Sequence, residues 1–282
     1  MTLSSASSGR RRNHLLSAVA IVLSLIVFVV PFAFILLTAM KDRQQASLLD
    51  FGWPKHFQLV QNFIDVVQAR DYMVIIAFIN STILTVASVA IMVVLSAMVA
   101  FVLQRRISRW TGLINFLVLS GLIITPAVVP TIWVLQKLGL FQTMVGLIFV
   151  EVAFGLSFCV LLFRAFISTI PRELDEAAII DGAGSLRLFF RVILPLLRSV
   201  IVTVVVVQSV AVFNDFTNPL YFLPGDQNAT VQLTLYNFSS QFSTSYNLLF
   251  MNILLITFPP LIMFLFFNRQ IVAGMTAGAV KG

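Results

Sequence analysis

Glu176-Ala177-Ala178-Ile179-Ile180-Asp181-Gly182-Ala183-Gly184 interrupts a chain that is otherwise a succession of long apolar runs. It lies inside a polar island, Arg164 to Arg191, between the fourth and fifth of those runs. The island carries Glu173, Asp175, Glu176 and Asp181 among Arg172, Arg187 and Arg191. Pro171 disfavours helix at Ile170 and can itself open a new one. Glu173, Asp175 and Glu176 then sit near that helix's positive end, where carboxylates are favoured. Gly182 and Gly184 permit the left-handed conformation that ends a helix. Ser185 is placed to cap a second helix, 186–194, that runs into the fifth apolar run. The block therefore reads helix, glycine turn, helix, lying along the membrane surface. Glu173, Ala177 and Asp181 share one face at helical spacing. Ala177, Ala178 and Gly182 lack bulk, so another protein can approach the backbone closely there. A plain connection between helices needs only about 2–8 residues, so the island reads as a contact surface rather than as a solvated loop.

Composition explains why such an island stands out. The 282 residues are 59% hydrophobic and only 10% charged, with a mean hydropathy of +1.01. Soluble domains carry about 25% charged residues, so this is a polytopic membrane protein with one helical domain. The formal charge of +7 reflects basic cytoplasmic loops rather than nucleic-acid binding. Cys159 is the sole cysteine and lies in an apolar run, which excludes an internal disulfide and a cysteine metal site. His14 and His56 are isolated, and no metal or cofactor is expected. No G-x-x-x-x-G-K-[ST] stretch occurs, so the chain has no P-loop for ATP. Nor does it hold a nucleophile–base constellation; it is not an enzyme by itself.

Working outward, six spans are expected, each of about 20 residues to cross a hydrocarbon core of about 30 Å. They are Leu15–Thr38 (with Pro31), 80–103 opened by the capping residues Asn80-Ser81-Thr82, 113–135 bent by Pro126 and Pro130, 144–166, 193–213, and 248–267 with Pro259-Pro260 in its middle. Prolines in mid-membrane are tolerated where neighbours or a cavity satisfy the freed backbone groups. Residues 1–13 are Ser- and Arg-rich and expected to be disordered. A short amphipathic helix is expected at 59–67, and 217–247 is a long polar and aromatic loop. Six spans put both ends on one side. Arg10, Arg11, Arg12, Arg105, Arg106, Arg109, Arg164, Arg172, Arg187, Arg191, Arg269 and Lys281 lie on that side, against Lys41, Arg43, Lys55, Arg70 and Lys137 on the other. This bias puts both termini and the island in the cytoplasm of a plasma or inner membrane. The domains are a tail 1–14, a permease domain 15–268 with the island's loop at 171–195, and a tail 269–282.

Glu176-Ala177-Ala178 followed by Asp181-Gly182-Ala183 and Ile193-Leu194-Pro195-Leu196 resembles the EAA loop of ATP-binding-cassette importer permeases. The placement before the penultimate span also fits. Asn80-Ser81, Pro126 with Pro130, Phe213-Asn214-Asp215-Phe216 and the tail Gly274–Gly282 resemble the carbohydrate-uptake subgroup, in particular the smaller, six-span maltose-type permease. The resemblance covers most of the chain from about Lys41 onward. Members commonly carry Trp at the position of Phe213 and often Glu at that of Asp215, which weakens any inference about the solute. The resemblance implies an all-α membrane protein of the type I importer permease fold. It implies that Glu176, Ala177, Ala178, Asp181 and Gly182 dock a separate ATPase subunit. The implied assembly has a second permease, two copies of the ATP-binding subunit and an extracytoplasmic solute-binding protein. The solute is then a sugar or oligosaccharide moved by alternating access. The same architecture could instead serve a polyamine or a glycerophosphodiester. A stand-alone ion-coupled transporter is disfavoured, because it needs titratable groups in several spans.

Three further residues are candidates for solute or gate. Glu151 lies within the fourth span, where a carboxylate is costly; it reads either as facing the translocation cavity or as half of a structural polar pair. Asn214 and Asp215 end the fifth span, where a solute contact, a gate or binding-protein contact, and simple helix termination are all open. Arg198, near the start of that span, is placed to snorkel to the interface.

Overall fold

The computed structural model describes residues 6–106, 109–124, 126–238 and 245–277. Among these residues there are helices and connections and no strands. The elements are α1 (Ala6–Ala39), α2 (Arg43–Ala46), α3 (Leu59–Arg105), α4 (Thr111–Ile123), α5 (Val128–Lys137), α6 (Met144–Ile167), α7 (Glu173–Ile180) and α8 (Ser185–Leu188). A π-helical segment, Phe189–Ile193, follows. Then come α9 (Leu194–Leu196), α10 (Arg198–Phe213), α11 (Thr217–Phe222), α12 (Val231–Phe238) and α13 (Tyr246–Ala277). Val19–Ala39 of α1, all of α3, α6 and Tyr246–Asn268 of α13 are long and apolar enough to cross a membrane. Ser185–Leu196 and α10, bent by 77° to each other, form a fifth span if taken together.

Several expectations change in detail. Helix begins at Ala6, so most of the tail expected to be disordered is helical. The expected third span is two short helices, α4 and α5, parted around Pro126. Pro130 falls in the first turn of α5, where its missing N–H costs nothing. The expected fifth span is not one straight helix from Ile193: the chain bends at Leu197, and α10 begins at Arg198. Helices α1 and α13 continue through Pro31 and through Pro259-Pro260. The latter reaches Ala277, well into the expected tail; residues 278–282 lie outside the described part. The expected loop 217–247 holds α11 and α12. The amphipathic helix and the second span are both contained in α3. Its 47 residues are more than twice the roughly 20 that cross a hydrocarbon core, and they do not form one uninterrupted right-handed helix. Inside it, Arg70, Asp71 and Tyr72 have φ of 49°, 53° and 61°. Left-handed geometry costs about 1–2 kcal/mol per non-glycine residue.

Asn80, Ser81 and Thr82 therefore cap nothing; they lie in mid-helix. Asn80 donates to the carbonyls of Gln227 and Ala229, and Ser81 Oγ accepts from the amide of Val231 at 3.0 Å. The α3 polar groups thus hold the start of α12 by its backbone. Thr82 turns back on the carbonyl of Phe78, as helical hydroxyls do.

Contacts group the chain into two units. The first comprises residues up to Ala69 with Leu235–Leu255; the second comprises Arg70–Thr234 with the remainder of α13. In the first, the link from α1 to α3 is tied by polar groups. Asp42 caps α2 through the amide of Gln45, and Gln45 bridges to the carbonyl of Trp53 and the amide of Lys55. Lys41, fully buried, donates its Nζ to the backbone carbonyl of Asp50 at 2.7 Å and to its Oδ1 at 2.6 Å. Asn62, also buried, donates to the carbonyls of Ala39 and Lys41 and accepts from Asn247 Nδ2. The second unit has one continuous apolar core. It includes Met92, Ala97, Ala100 and Phe101 of α3, Leu147, Val160 and Phe163 of α6, Phe189 and Ile193, and Val200 and Val204 of α10. Where α6 meets α3, Gly155 of α6 makes room for Met92, whose sulfur a Cβ there would meet at 2.5 Å; small residues serve helix packing in lipid in this way.

The Asp50 tie is pH-sensitive in a defined direction. The Lys41 hydrogen bond, then the Gly52 amide, hold the Asp50 carboxyl below its ordinary 3.8. A depressed carboxylate pKa contributes stability that is present above the unfolded value and lost as pH falls through the folded one. Amide exchange at Gly52 should therefore stay protected from neutral pH down to about pH 4 and accelerate below it. Protection that weakens on raising the pH instead, after correction for intrinsic exchange, would contradict the assignment.

Candidate functional site

The island folds from its breakers. α6 ends at Ile167, with the amide of Ser168 bonded back to Arg164 and Phe166. Pro171 follows, and α7 starts at Glu173 with Glu173, Asp175 and Glu176 in its first turn. No side chain caps that end; the carboxylates and the dipole supply the favourable electrostatics. The other end is closed by a Schellman motif. Gly182 donates to the carbonyl of Ile179 and Ala183 to that of Ala178, each at 2.9 Å, with Gly182 at φ +78°. The expected stop is found at the expected glycine. The second helix differs: Gly184, not Ser185, occupies its cap position, and after one turn of α8 it widens into the π segment.

Glu176, Ala177, Asp181 and Gly182 are exposed, and Ala178 is half-buried against the apolar core. Glu173, Ala177 and Asp181 are all solvent-facing, as their shared face requires. Large apolar side chains stand out beside them: Ile180 is 85% exposed and Leu186 65%. Large apolar side chains exposed side by side in this way mark a contact surface.

Asp175 behaves differently. It is 8% exposed and faces inward, where its Oδ2 lies 2.8 Å from Arg105 Nε at the end of α3. The contact is an ion pair without hydrogen-bond alignment at Nε, and Asp175 Oδ1 has no hydrogen-bond partner among the described residues. Arg105 also donates to the carbonyl of Ile170 at 2.8 Å, and Arg106 donates to Ser185 Oγ at 2.7 Å. A cleft of about 240 Å³ opens here, lined in part by Phe101, Arg105, Arg106, Arg172, Asp175 and Glu176. Sequence reasoning counted Arg105 only as one more basic residue. The available signal was angular: Asp175 falls two residues from Glu173, on the opposite side of the helix, where a carboxylate requires a base.

The other three candidates come together at the far end of α6 and α10. Glu151, 6% exposed in α6, accepts from Asn218 Nδ2 at 3.1 Å. Asp215 is close enough to Glu151 for the two carboxylates to interact. Its Oδ1 also accepts the amides of Thr217 and Asn218, at 2.8 and 3.3 Å, and so starts α11. Asn214 follows α10 directly and accepts from Gln232 Nε2 of α12 at 2.9 Å. Asn218 was missed because it sat in a stretch read as loop. The cluster offers carboxylate and amide groups suited to hydroxyl-rich ligands or to a polar latch. Phe213 is buried against Phe78 and Phe216 is exposed. Arg198, the first residue of α10, is exposed.

Comparison with known proteins identifies the family. The family described as binding-protein-dependent transport system inner membrane component matches residues 115–276. The diacetylchitobiose uptake system permease protein NgcG of Streptomyces coelicolor is 30% identical over 98% of this chain and 92% of its own length. The melibiose/raffinose/stachyose import permease protein MelC of Bacillus subtilis is 32% identical over 73% of this chain and 76% of its own. The crystal structure of a bacterial ATP-binding-cassette transporter involved in the import of the acidic polysaccharide alginate has a chain of the same fold. Its TM-score is 0.80 at 17% identity, covering 95% of this chain and 99% of that one. The island with its Schellman-closed helix falls inside the matched segment, and the chain belongs to the binding-protein-dependent transport system inner membrane components, the all-α membrane permeases of ATP-binding-cassette importers.

Proposed function

We propose that this chain is the membrane-spanning permease subunit of a binding-protein-dependent importer for a sugar or oligosaccharide. A separate ATP-binding subunit, present in two copies, supplies the energy. A second permease completes the pathway, and an extracytoplasmic solute-binding protein delivers the solute. The observation that carries this reading is α7. It is short, closed at its glycine, and presents Glu176, Ala177 and Gly182 beside exposed Ile180 and Leu186, on a chain without a P-loop of its own. Glu176 pairs with a basic residue of the ATP-binding subunit, and Ala177, Ala178, Asp181 and Gly182 form the close contact. The basic residues around Arg105 and Arg172 support a cytoplasmic position for this loop and both termini. The permease domain is 15–268, and residues 1–14 and 269–282 are its cytoplasmic flanks. A carbohydrate is favoured because the relatives above are named for diacetylchitobiose and for melibiose, raffinose and stachyose. Glu151, Asp215 and Asn214 form the solute-facing or gating cluster at the opposite end.

Reconstitution tests this. Proteoliposomes holding the chain with its second permease and ATP-binding subunits should take up labelled oligosaccharide only when ATP and the loaded binding protein are both present. The chain alone should neither hydrolyse ATP nor transport. Uptake by the chain alone would overturn the proposal.

A further inference from the structure

We propose that Arg105 and Arg106, at the end of α3, are positioning residues that clamp the coupling helix α7 and make α3 the element that receives its movement. The proposal rests on the importer reading above. Two adjacent guanidiniums hold α7 from both sides. Arg105 takes the carbonyl of Ile170 ahead of the helix and the carboxylate of Asp175 in its first turn; Arg106 takes Ser185 beyond its glycine turn. The ring of Phe101, one turn earlier on α3, lies 5.6 Å from that of Phe189 in the π segment. The loop is thus gripped by polar groups at both ends and by an aromatic contact after α8.

The clamp has a backing. Arg164 of α6 donates to Asn115 of α4 at 2.6 Å and to Gln104 of α3 at 3.2 Å. The end of α3 is thereby fixed to two further helices. A helix as short as α7 has little stability alone in water, so its position is set by what it is tied to. The Arg105–Asp175 pair is well suited to this, since its side chains are only 8% and 12% exposed. With Asp175 Oδ1 unpartnered, Arg105 is the cation that balances the carboxylate. A guanidinium holds its nitrogens apart in a rigid planar fork, here Nε beside the carboxylate and Nη2 on the carbonyl, whereas an ammonium gathers its donors on one atom. A push on α7 therefore displaces α3, whose Met92, Ala97 and Phe101 form the core of the second unit.

The test uses the complete reconstituted importer with four variants: Arg105→Lys, Arg105→Asp, Asp175→Arg, and the double exchange Arg105→Asp with Asp175→Arg. Two readouts are taken, co-purification of the ATP-binding subunit and oligosaccharide transported per ATP hydrolysed. Arg105→Lys keeps the charge and loses the fork. It should retain the ATP-binding subunit and hydrolyse ATP, yet transport about tenfold less per ATP. The single exchanges should be worse, and the double exchange should recover much of the loss. An unchanged transport-to-ATP ratio in Arg105→Lys overturns the clamp, as does a double exchange no better than either single. If the single exchanges fail to fold, Arg105→Lys decides by itself. A wild-type assembly that does not transport at all overturns the importer reading instead, so the two failures are distinct.

Discussion

Replacing Gly182 by Asp is expected to cut ATP-driven uptake about 100-fold while leaving the chain folded in the membrane. Two facts separate these effects. A Cβ on Gly182 meets no atom within 4 Å, so a side chain starts there into open space. The φ of +78° costs a non-glycine residue about 1–2 kcal/mol, and aspartate is among those that tolerate that region best. The folded permease should therefore persist. What changes is the exposed surface, where a carboxylate now projects beside Asp181, at the point where the proposed docking brings the ATP-binding subunit close. Losing a central contact of an interface costs about 2–4 kcal/mol, so uptake should fall about 100-fold. Gly182→Ala, which adds a methyl and no charge, should lose much less. Uptake and stimulated ATP hydrolysis are measured on complexes matched for permease content. Wild-type values for Gly182→Asp would remove α7 as the docking element.

The largest effect on stability is expected at Asn62. This buried amide donates to the carbonyls of Ala39 and Lys41 and accepts from Asn247 at 2.8 Å. Asn62→Leu leaves two carbonyls and one amide without partners. Each orphaned buried polar group costs about 1–3 kcal/mol, so the total approaches the whole stability of a typical domain, about 5–15 kcal/mol. Asn62→Leu should reach the membrane in low yield and elute from detergent as aggregate. Asn62→Asp is nearly the same shape but should be almost as damaging. It keeps an acceptor for Asn247, yet turns carboxylate oxygen toward two carbonyls. A melting midpoint equal to wild type in either variant would show that the amide does not hold these segments.

Much of the island was legible because its signals are local. Pro171, the acids that follow it and Gly182 act within a few residues of themselves, and the helix they define lies between them as expected. Asn80 and Ser81 show the opposite case. Their types favour a helix start, and their side chains do bind backbone, but the groups they bind are at Gln227, Ala229 and Val231. Such distant partners leave no trace in local pattern. Asn218 and Glu151 are 67 positions apart in sequence, and Asp175 and Arg105 are similarly distant, so each pair became visible only in three dimensions. The bend at Leu197 escaped for another reason. The run from Val192 to Phe213 is almost uniformly apolar, and hydropathy marks where a chain crosses lipid without marking where it turns. Proline gave an uneven guide. It parted α4 from α5, yet α1 and α13 absorbed theirs.

Helix α1 has a consequence for how the protein is made. The apolar window within Val19–Ala39 is wholly unburied in the chain, and only near Thr38 and Ala39 do side chains disappear from the surface. Its insertion is therefore decided before any tertiary contact exists, by partitioning between translocon and lipid. The segment behaves as a separately installed part, and docking follows as a second stage. Exchanging residues 19–33 for an unrelated apolar sequence of equal length should leave biogenesis intact, whereas a single charge at Val27 should stall it.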